Sequence, residues 1–504
     1  MRIGARLLAL ALLAVAPGAV HAATVLNVGL AGDPSALDPA TSGNFLDRNV
    51  FASLCDKLID TDADMNFVPE LATSWEWSAD KLALTLHLRP GVLFQDGTPF
   101  DAEAVKLNIE RDKTLLGSVR KGELTPVTSV EVVDKQTVRV HVSVPSGPLL
   151  AVLADRSGMM LSPKAIAAQG VNIGLHPVCA GPYAFTDRVA QDHITLDRFP
   201  GYWNAKAVSI DRIVYKPIPD STVRLVNLQS GQLQIIDQLA PNDVAAVKAN
   251  AKLMVAQHTA AAYRILQFNL HHSARADTPL ARDPRIRMAL EKAIDRDAIN
   301  QVVFNGLFVP NNQTEVPHSH YWDPDHPLPG RDLDGAKALL KAAGVSHVSF
   351  TLQLANNPID AQVGQVIQSM AGEAGFDVKL EQVEVSAGNQ EDVAGAFDVA
   401  LLTWSGRADP DANLSIFLTC KGPFNYGAYC DPKMDALLSQ ARETTDPAAR
   451  VPLYKQVVDL YQADMPQIVL YNYTWLWGVS ARVGGFVPNR DGLIRPQGMT
   501  LKPQ

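Results

Sequence analysis

The stretch "VSFTLQLANNPIDAQVGQVIQSMAGEAGFDVKLEQVEV" (Val348–Val385) decides the fold class. "VSFTLQL" reads as a strand. A helix follows from about Asp360 to Ala374, stopped by Gly375, and "FDVKLEQVEV" reads as a second strand. A short polar piece then leads to "FDVALLTW" (Phe397–Trp404), whose nearly continuous apolar run fits a strand buried on both faces. Strand, helix, strand and further strand is the order of an α/β sheet with covering helices.

Working outward, "DPRIRMALEKAIDRDAI" offers Asp283 as a cap and Pro284 at the first helical position, with Ile286, Leu290, Ala293 and Ile294 on one face. "LDGAKALLKAAG" is a helix ended by Gly344. The first half is richer in strands. "TVLNVGLAGDPSALDP" enters a loop, "LALTLHLRPG" puts Leu82, Leu84, Leu86 and Leu88 on one face, and "SVEVVDKQTVRVHV" is a hairpin around Asp134-Lys135-Gln136. Asp101 is placed to cap a helix at "AEAV". With 504 residues and 47% hydrophobic content, the chain has material for two or more cores.

"MRIGARLLALALLAVAPGAVHAA" has Arg2 and Arg6, an apolar run from Leu7 to Ala16, a break at Pro17-Gly18 and a small-residue site at Val20-His21-Ala22. This predicts a cleaved secretory signal peptide over 1–23, the run being shorter than the about 20 residues of a membrane span. An uncleaved anchor is the alternative. Removing Arg2 and Arg6 takes the formal charge from -9 to -11. An acidic exported chain without basic patches argues against a nucleic-acid partner. Four cysteines remain. An even count in an exported chain suggests two disulfides. Cys420 and Cys430 enclose a short loop and form the local pair, leaving Cys55 with Cys179; buried free thiols are the alternative.

The loop after the buried strand, "LLTWSGRADPDANLS" (Leu401–Ser415), concentrates polar chemistry where ligands bind in open α/β sheets, beyond the carboxyl ends of strands. Trp404 and Arg407 are the candidates there. Asp409 and Asp411 have the bland alternative of turn-making and helix capping.

Several stretches together resemble one family. "ATSWEWSADKLALTLHLRPGVLFQDGTPFDAEAV" (Ala72–Val105) looks like the signature region of the peptide/nickel (oligopeptide/dipeptide) solute-binding proteins of ABC transporters. "CAGPYAF", "FPGYWN", "FNLHHSARADTPLARDPRIRMALEKAIDRDAI", "DPKMDALL" and "DMPQIVLY" follow in the matching order, so the resemblance spans 24–504. It implies a two-lobe periplasmic binding-protein fold of the class C type, with an extra subdomain in lobe I. Lobe I would cover 24–266 with the embedded subdomain, lobe II 267–477, and 478–504 would return to lobe I. "YRILQFNL" and "QIVLYNYTWLWGVS" would connect the lobes. The protein would be a periplasmic monomer that traps a solute by hinge closure and docks on an inner-membrane permease with its ATPase.

Peptide-binding relatives carry an Asp after the buried Trp for the peptide ammonium. Here Arg407 stands at or near that point, and Asp409 substitutes only if the loop shifts. Dipeptide-binding relatives place an Arg near this chain's Asn356 and Asn357 for the ligand carboxylate. Both ends of the usual clamp are therefore altered. Arginine matches a carboxylate or phosphate bidentately, which predicts an acidic peptide-like solute contacted by Arg407 beside Trp404. A non-peptide solute (an opine, a sugar conjugate or a metal chelate) is the alternative. Asn425 matches a pocket-lining position of oligopeptide binders, and Tyr471 and Tyr473 lie on the returning connecting strand; core packing is the alternative for the aromatic residues. His318, His320 and His326, with His271 and His272, invite a metal reading, but their loop is rich in proline, and neither metal nor cofactor is expected. No GxSxG, HExxH, P-loop or GxGxxG supports an exported hydrolase.

Overall fold

A computed structural model describes residues 23–503; the signal-peptide reading falls on residues outside them, except for its last position. Asn357 begins the helix Pro358–Ala374 by accepting a hydrogen bond from the Asp360 amide, and Pro358 needs no partner in the first turn. The helix ends where Gly375 turns to a φ of +110°, a conformation open to glycine. The flanking strands Val348–Ala355 and Phe376–Val383 pair in parallel, from Val348 opposite Phe376 to Ala355 opposite Val383. Strand Val399–Trp404 adds on the other side, also parallel. The piece between these strands, read as a polar link, is the helix Val385–Ala394. Its Gly388 and Asn389 are weak helix formers, but the Glu384 carboxylate accepts from the Ala387 amide and supports the first turn.

This group belongs to one eleven-stranded mixed sheet. Two long strands, Leu253–Phe268 and Gln467–Ser480, pair antiparallel in its middle. On one side of them stands Val399–Trp404, followed by Val348–Ala355 and Phe376–Val383. On the other side stand, in order, Ile235–Ile236, Val25–Leu30, Arg212–Pro217, His193–Arg198 and Tyr183–Val189. The register of the two long strands slips between Thr259 and Tyr263, an irregularity at the boundary of the two halves. One apolar core lies against the 348–404 half and a second against the 25–217 half.

A separate four-stranded antiparallel sheet holds Ala72–Trp77, Ala83–Leu88, Thr137–Val142 and Val127–Asp134. Leu84, Leu86 and Leu88 point into its own core with Val105 and Ile109 of helix Ala102–Thr114, whereas Leu82 stays exposed. Both disulfides form, Cys55 with Cys179 and Cys420 with Cys430.

Candidate functional site

The loop after Trp404 is held by one side chain that sequence reasoning passed over. Asn413 Oδ1 accepts from Trp404 Nε1 at 3.1 Å and from the Arg407 amide at 2.8 Å. Its Nδ2 donates to the Arg407 carbonyl at 3.1 Å and to Glu315 Oε1 at 3.0 Å. Gly406 makes the turn possible. Its φ is +72°, and a Cβ there would lie 2.4 Å from the Ala261 backbone, at the slipped register of the long strands. Trp404 packs against Phe417 and Phe424 with ring centroids 5.7 and 5.3 Å away.

Arg407 lies over the Trp404 ring, its guanidinium carbon 4.7 Å from the centroid. Nη1 donates to Ser405 Oγ and the Gly406 carbonyl. Nε stands 3.3 Å from Asp155 Oδ2, an ion pair that joins the far half of the chain to this loop. Nearby, the Gly147 amide donates to the Arg442 carbonyl at 2.8 Å, a second contact between the same two halves.

Asp155 gathers further cations. Its Oδ1 lies 3.3 Å from Arg48 Nε and 3.7 Å from Arg156 Nε. Burial opposes the charge, but Arg48, Arg156 and Arg407 together hold the carboxyl well below the ordinary carboxylate range. Arg120 completes the group, paired with Glu123 at 2.7 Å and donating to the Ser42 carbonyl.

The two aspartates of the loop have other tasks. Asp409 is buried and held bidentately by Arg450, at 2.5 and 2.7 Å. Arg442 Nε bonds both oxygens of Asp411, at 3.1 and 3.2 Å, and Ser415 Oγ adds a third bond. Asn357 caps its helix and Asn356 is exposed. Asn425 is engaged inside the Cys420–Cys430 loop, donating to the Thr419 and Tyr429 carbonyls and accepting from the Tyr429 amide. Tyr471 is buried against Phe304 and Phe308. Tyr473 is only partly buried. Its hydroxyl meets Arg264 Nη1 at 3.1 Å and Thr403 Oγ1 at 3.0 Å, and Arg264 pairs with buried Asp360 at 2.5 Å. Beside Tyr473, Trp475 stacks on Phe45 of the helix Phe45–Leu54, with centroids 4.9 Å apart and planes at 6°.

The structure therefore brings Trp404, Arg407 and Tyr473 to the seam between the halves, and places Asp409, Asn357, Asn425 and Tyr471 in structural contacts. His326 bonds Asp323 and lies 3.3 Å from Asp459, while His318 packs on Trp322. Among the described residues, no group of three or more His, Cys, Asp or Glu side chains is arranged for a metal ion.

Glu315 gives this seam a pH dependence. Burial pushes its carboxyl from 4.5 up to about 7, against the stabilising donation from Asn413. Between those values the folded chain binds a proton that the unfolded chain has released. Stability from this group therefore falls as pH rises from 4.5 to about 7. Glu315→Gln should be more stable than the wild type by about 2 kcal/mol at pH 8, allowing for the partial exposure of the side chain, and equal to it at pH 4. Urea unfolding at both pH values checks this, and an equal gain at both would contradict it.

The model of the middle region of the bacterial extracellular solute-binding proteins, family 5, matches residues 66–425. The chain belongs to this family. The glutathione-binding protein GsiB of Pectobacterium atrosepticum is 30% identical over 475 residues, covering 91% of each chain. The solved structure of the binding protein AgaA from A. tumefaciens R10, in complex with agropinic acid, matches with a TM-score of 0.81 at 26% identity, over 95% of this chain and 99% of that one. The periplasmic binding protein DppA of Helicobacter pylori, in complex with the peptide STSA, matches with a TM-score of 0.82 at 24% identity, over 95% and 98%, a likeness of fold. This family 5 chain thus shares its α/β architecture with binding proteins of ABC transporters.

Proposed function

We propose that this protein is the non-catalytic, periplasmic binding component of an ABC importer. It traps an acidic, peptide-like solute between two lobes and hands it to an inner-membrane permease with its ATPase. Lobe I comprises 24–266 and the return segment 478–504, and lobe II comprises 267–477. The observation that carries this reading is the Arg407–Asp155 pair, which bridges the two halves beside the aromatic wall of Trp404, Tyr473, Trp475 and Phe45. The register slip at Thr259–Tyr263 lies where a hinge would bend. Family membership and the glutathione-binding relative support a peptide-like solute. The neighbour that holds agropinic acid favours a second reading, a non-peptide acid in the same seam.

Mass spectrometry of small molecules released from protein purified out of the periplasm identifies the solute. Re-adding that solute should then reduce the radius of gyration in small-angle scattering. An unchanged radius at saturation would count against capture by closure.

A further inference from the structure

Four arginines meet at the seam, and their acids do not balance them. Arg48, Arg120 and Arg156 are each no more than 5% exposed, and the Arg407 side chain is 17% exposed. Against these four positive charges stand Asp155 and Glu123. The next acids are already engaged. Asp491 lies within reach of Arg48 but is held bidentately by Arg495 at 3.0 and 2.7 Å. Asp38 is held by Arg111. Asp112, beside Arg120, is pushed well up by burial, against the pull of Arg111 and Arg120. Buried Asp47 reaches the cluster only through Ser42, whose hydroxyl donates to it and accepts from Arg156, so the arginines outnumber the acids that touch them.

Its hydrogen bonding is also incomplete. Arg48 Nε and Nη1, Arg120 Nε and Arg156 Nε are buried without a hydrogen-bond acceptor. Buried N–H groups normally have partners, and an uncompensated buried guanidinium is costly. Burial first, then the charges of Arg120, Arg407 and Arg48, push the Arg156 guanidinium down to about 9. These groups belong to both halves, three arginines to one and Arg407 to the other. Arg407 joins the other three only when the halves come together.

Resting on the capture reading above, we propose that the solute carries two carboxylates, and that Arg48, Arg120, Arg156 and Arg407 receive them. The guanidinium fork matches a carboxylate in plane, and two such groups supply acceptors for the unpartnered nitrogens. The same balance explains what drives closure. Without the dianion, approach of the halves adds Arg407 to three arginines already packed together, with Asp155 shared among them. With it, the closed form gains its missing acceptors, which is the differential affinity a ligand needs to shift a conformational equilibrium.

Calorimetry on the mature protein tests this with matched dipeptides, Ala-Asp against Ala-Asn and Ala-Glu against Ala-Gln, together with glutathione and a phosphoserine dipeptide. At least one dicarboxylate dipeptide should bind, and should exceed its amide by roughly ten- to a hundredfold. Arg48→Gln and Arg156→Gln should shrink that ratio to a few-fold, and Arg48→Lys should restore part of it. Far-ultraviolet circular dichroism establishes that the variants are folded, and the paired comparison on the wild type stands without them. Equal binding of acid and amide, no binding by any dicarboxylate, or tighter binding of the phosphoserine dipeptide would each overturn the assignment. Closure of the lobes by an amide in scattering would leave the capture reading standing while removing this one.

Discussion

Arg450→Met should lower the free energy of unfolding by about 3–5 kcal/mol, read by urea denaturation at neutral pH. Arg450 is 3% exposed, and its two terminal nitrogens hold Asp409, which is 4% exposed. Nε is also engaged, by the Ala441 carbonyl at 2.9 Å, and Nη2 meets the Tyr454 hydroxyl at 2.7 Å. Methionine keeps much of the volume but leaves the Asp409 carboxylate buried without a cation. The cost comes from that stranded charge more than from the lost pair. Arg450→Met combined with Asp409→Leu should therefore recover much of the loss, since an apolar pair of similar size removes the charge that had to be desolvated. A single variant within about 1 kcal/mol of the wild type would place the pair among exposed ion pairs of little weight. The experiment also tests whether Asp409 serves the solute. If its carboxylate received a solute ammonium, Asp409→Asn would change affinity by more than it changes stability.

The second large effect belongs to the disulfides. Cys55 and Cys179 lie 124 residues apart in sequence, Cys420 and Cys430 only 10. The chain-entropy account gives about 4.9 kcal/mol for closing the long loop and about 2.7 kcal/mol for the short one. Cys55→Ala/Cys179→Ala should thus cost more than Cys420→Ala/Cys430→Ala, by roughly 2 kcal/mol, in unfolding experiments on matched proteins. The long bridge should also matter for the seam. Cys55 ends the helix Phe45–Leu54, which presents Arg48 and Phe45, and Cys179 pairs with Leu161, shortly after Asp155 and Arg156. An equal cost for both bridges would mean that the unfolded chain is already constrained near Cys55, or that packing outweighs loop length.

The fold was legible where one segment carries its own signals. Pro358 and Gly375 bracket a helix, and the apolar runs beside it have room for only one parallel arrangement. The Asp283-Pro284 start and the hairpin at Asp134–Gln136 were legible for the same reason: the groups that stop or turn the chain are neighbours in sequence. The seam was only half legible. Trp404 and Arg407 declared themselves by standing past the end of a buried strand. Asp155, Arg48, Arg120 and Arg156 did not, because nothing local distinguishes a surface arginine from one that folding will bury. Asn413 was hidden for another reason: it lies in the first turns of a helix, where asparagine is unremarkable, and its role comes from three partners supplied by other segments. The partner of Asp409 was hidden because Arg450 sits far along the chain, on the helix Pro447–Asp464.

The course of strand Gln467–Ser480 has a consequence for how the molecule is made. Its last residues pair with Ile235–Ile236, which pairs in turn with Val25–Leu30, so the sheet half built by the beginning of the chain is joined to the other half through the end of it. Ile494 then donates its amide to Asn49, a residue of the same helix as Arg48. A chain emerging from its amino end therefore cannot finish its first half until nearly all of it has appeared. Contacts of such sequence separation are slow to form, because the loop they close must be ordered before they repay it. The strands Ile235–Ile236 and Leu253–Phe268 meanwhile present unpaired edges, and unpaired edges associate with other chains. Holding the early segment away from such partners until the last strand arrives becomes a requirement of biosynthesis. Truncation near the carboxyl end should accordingly disable the whole protein, far beyond the few residues removed.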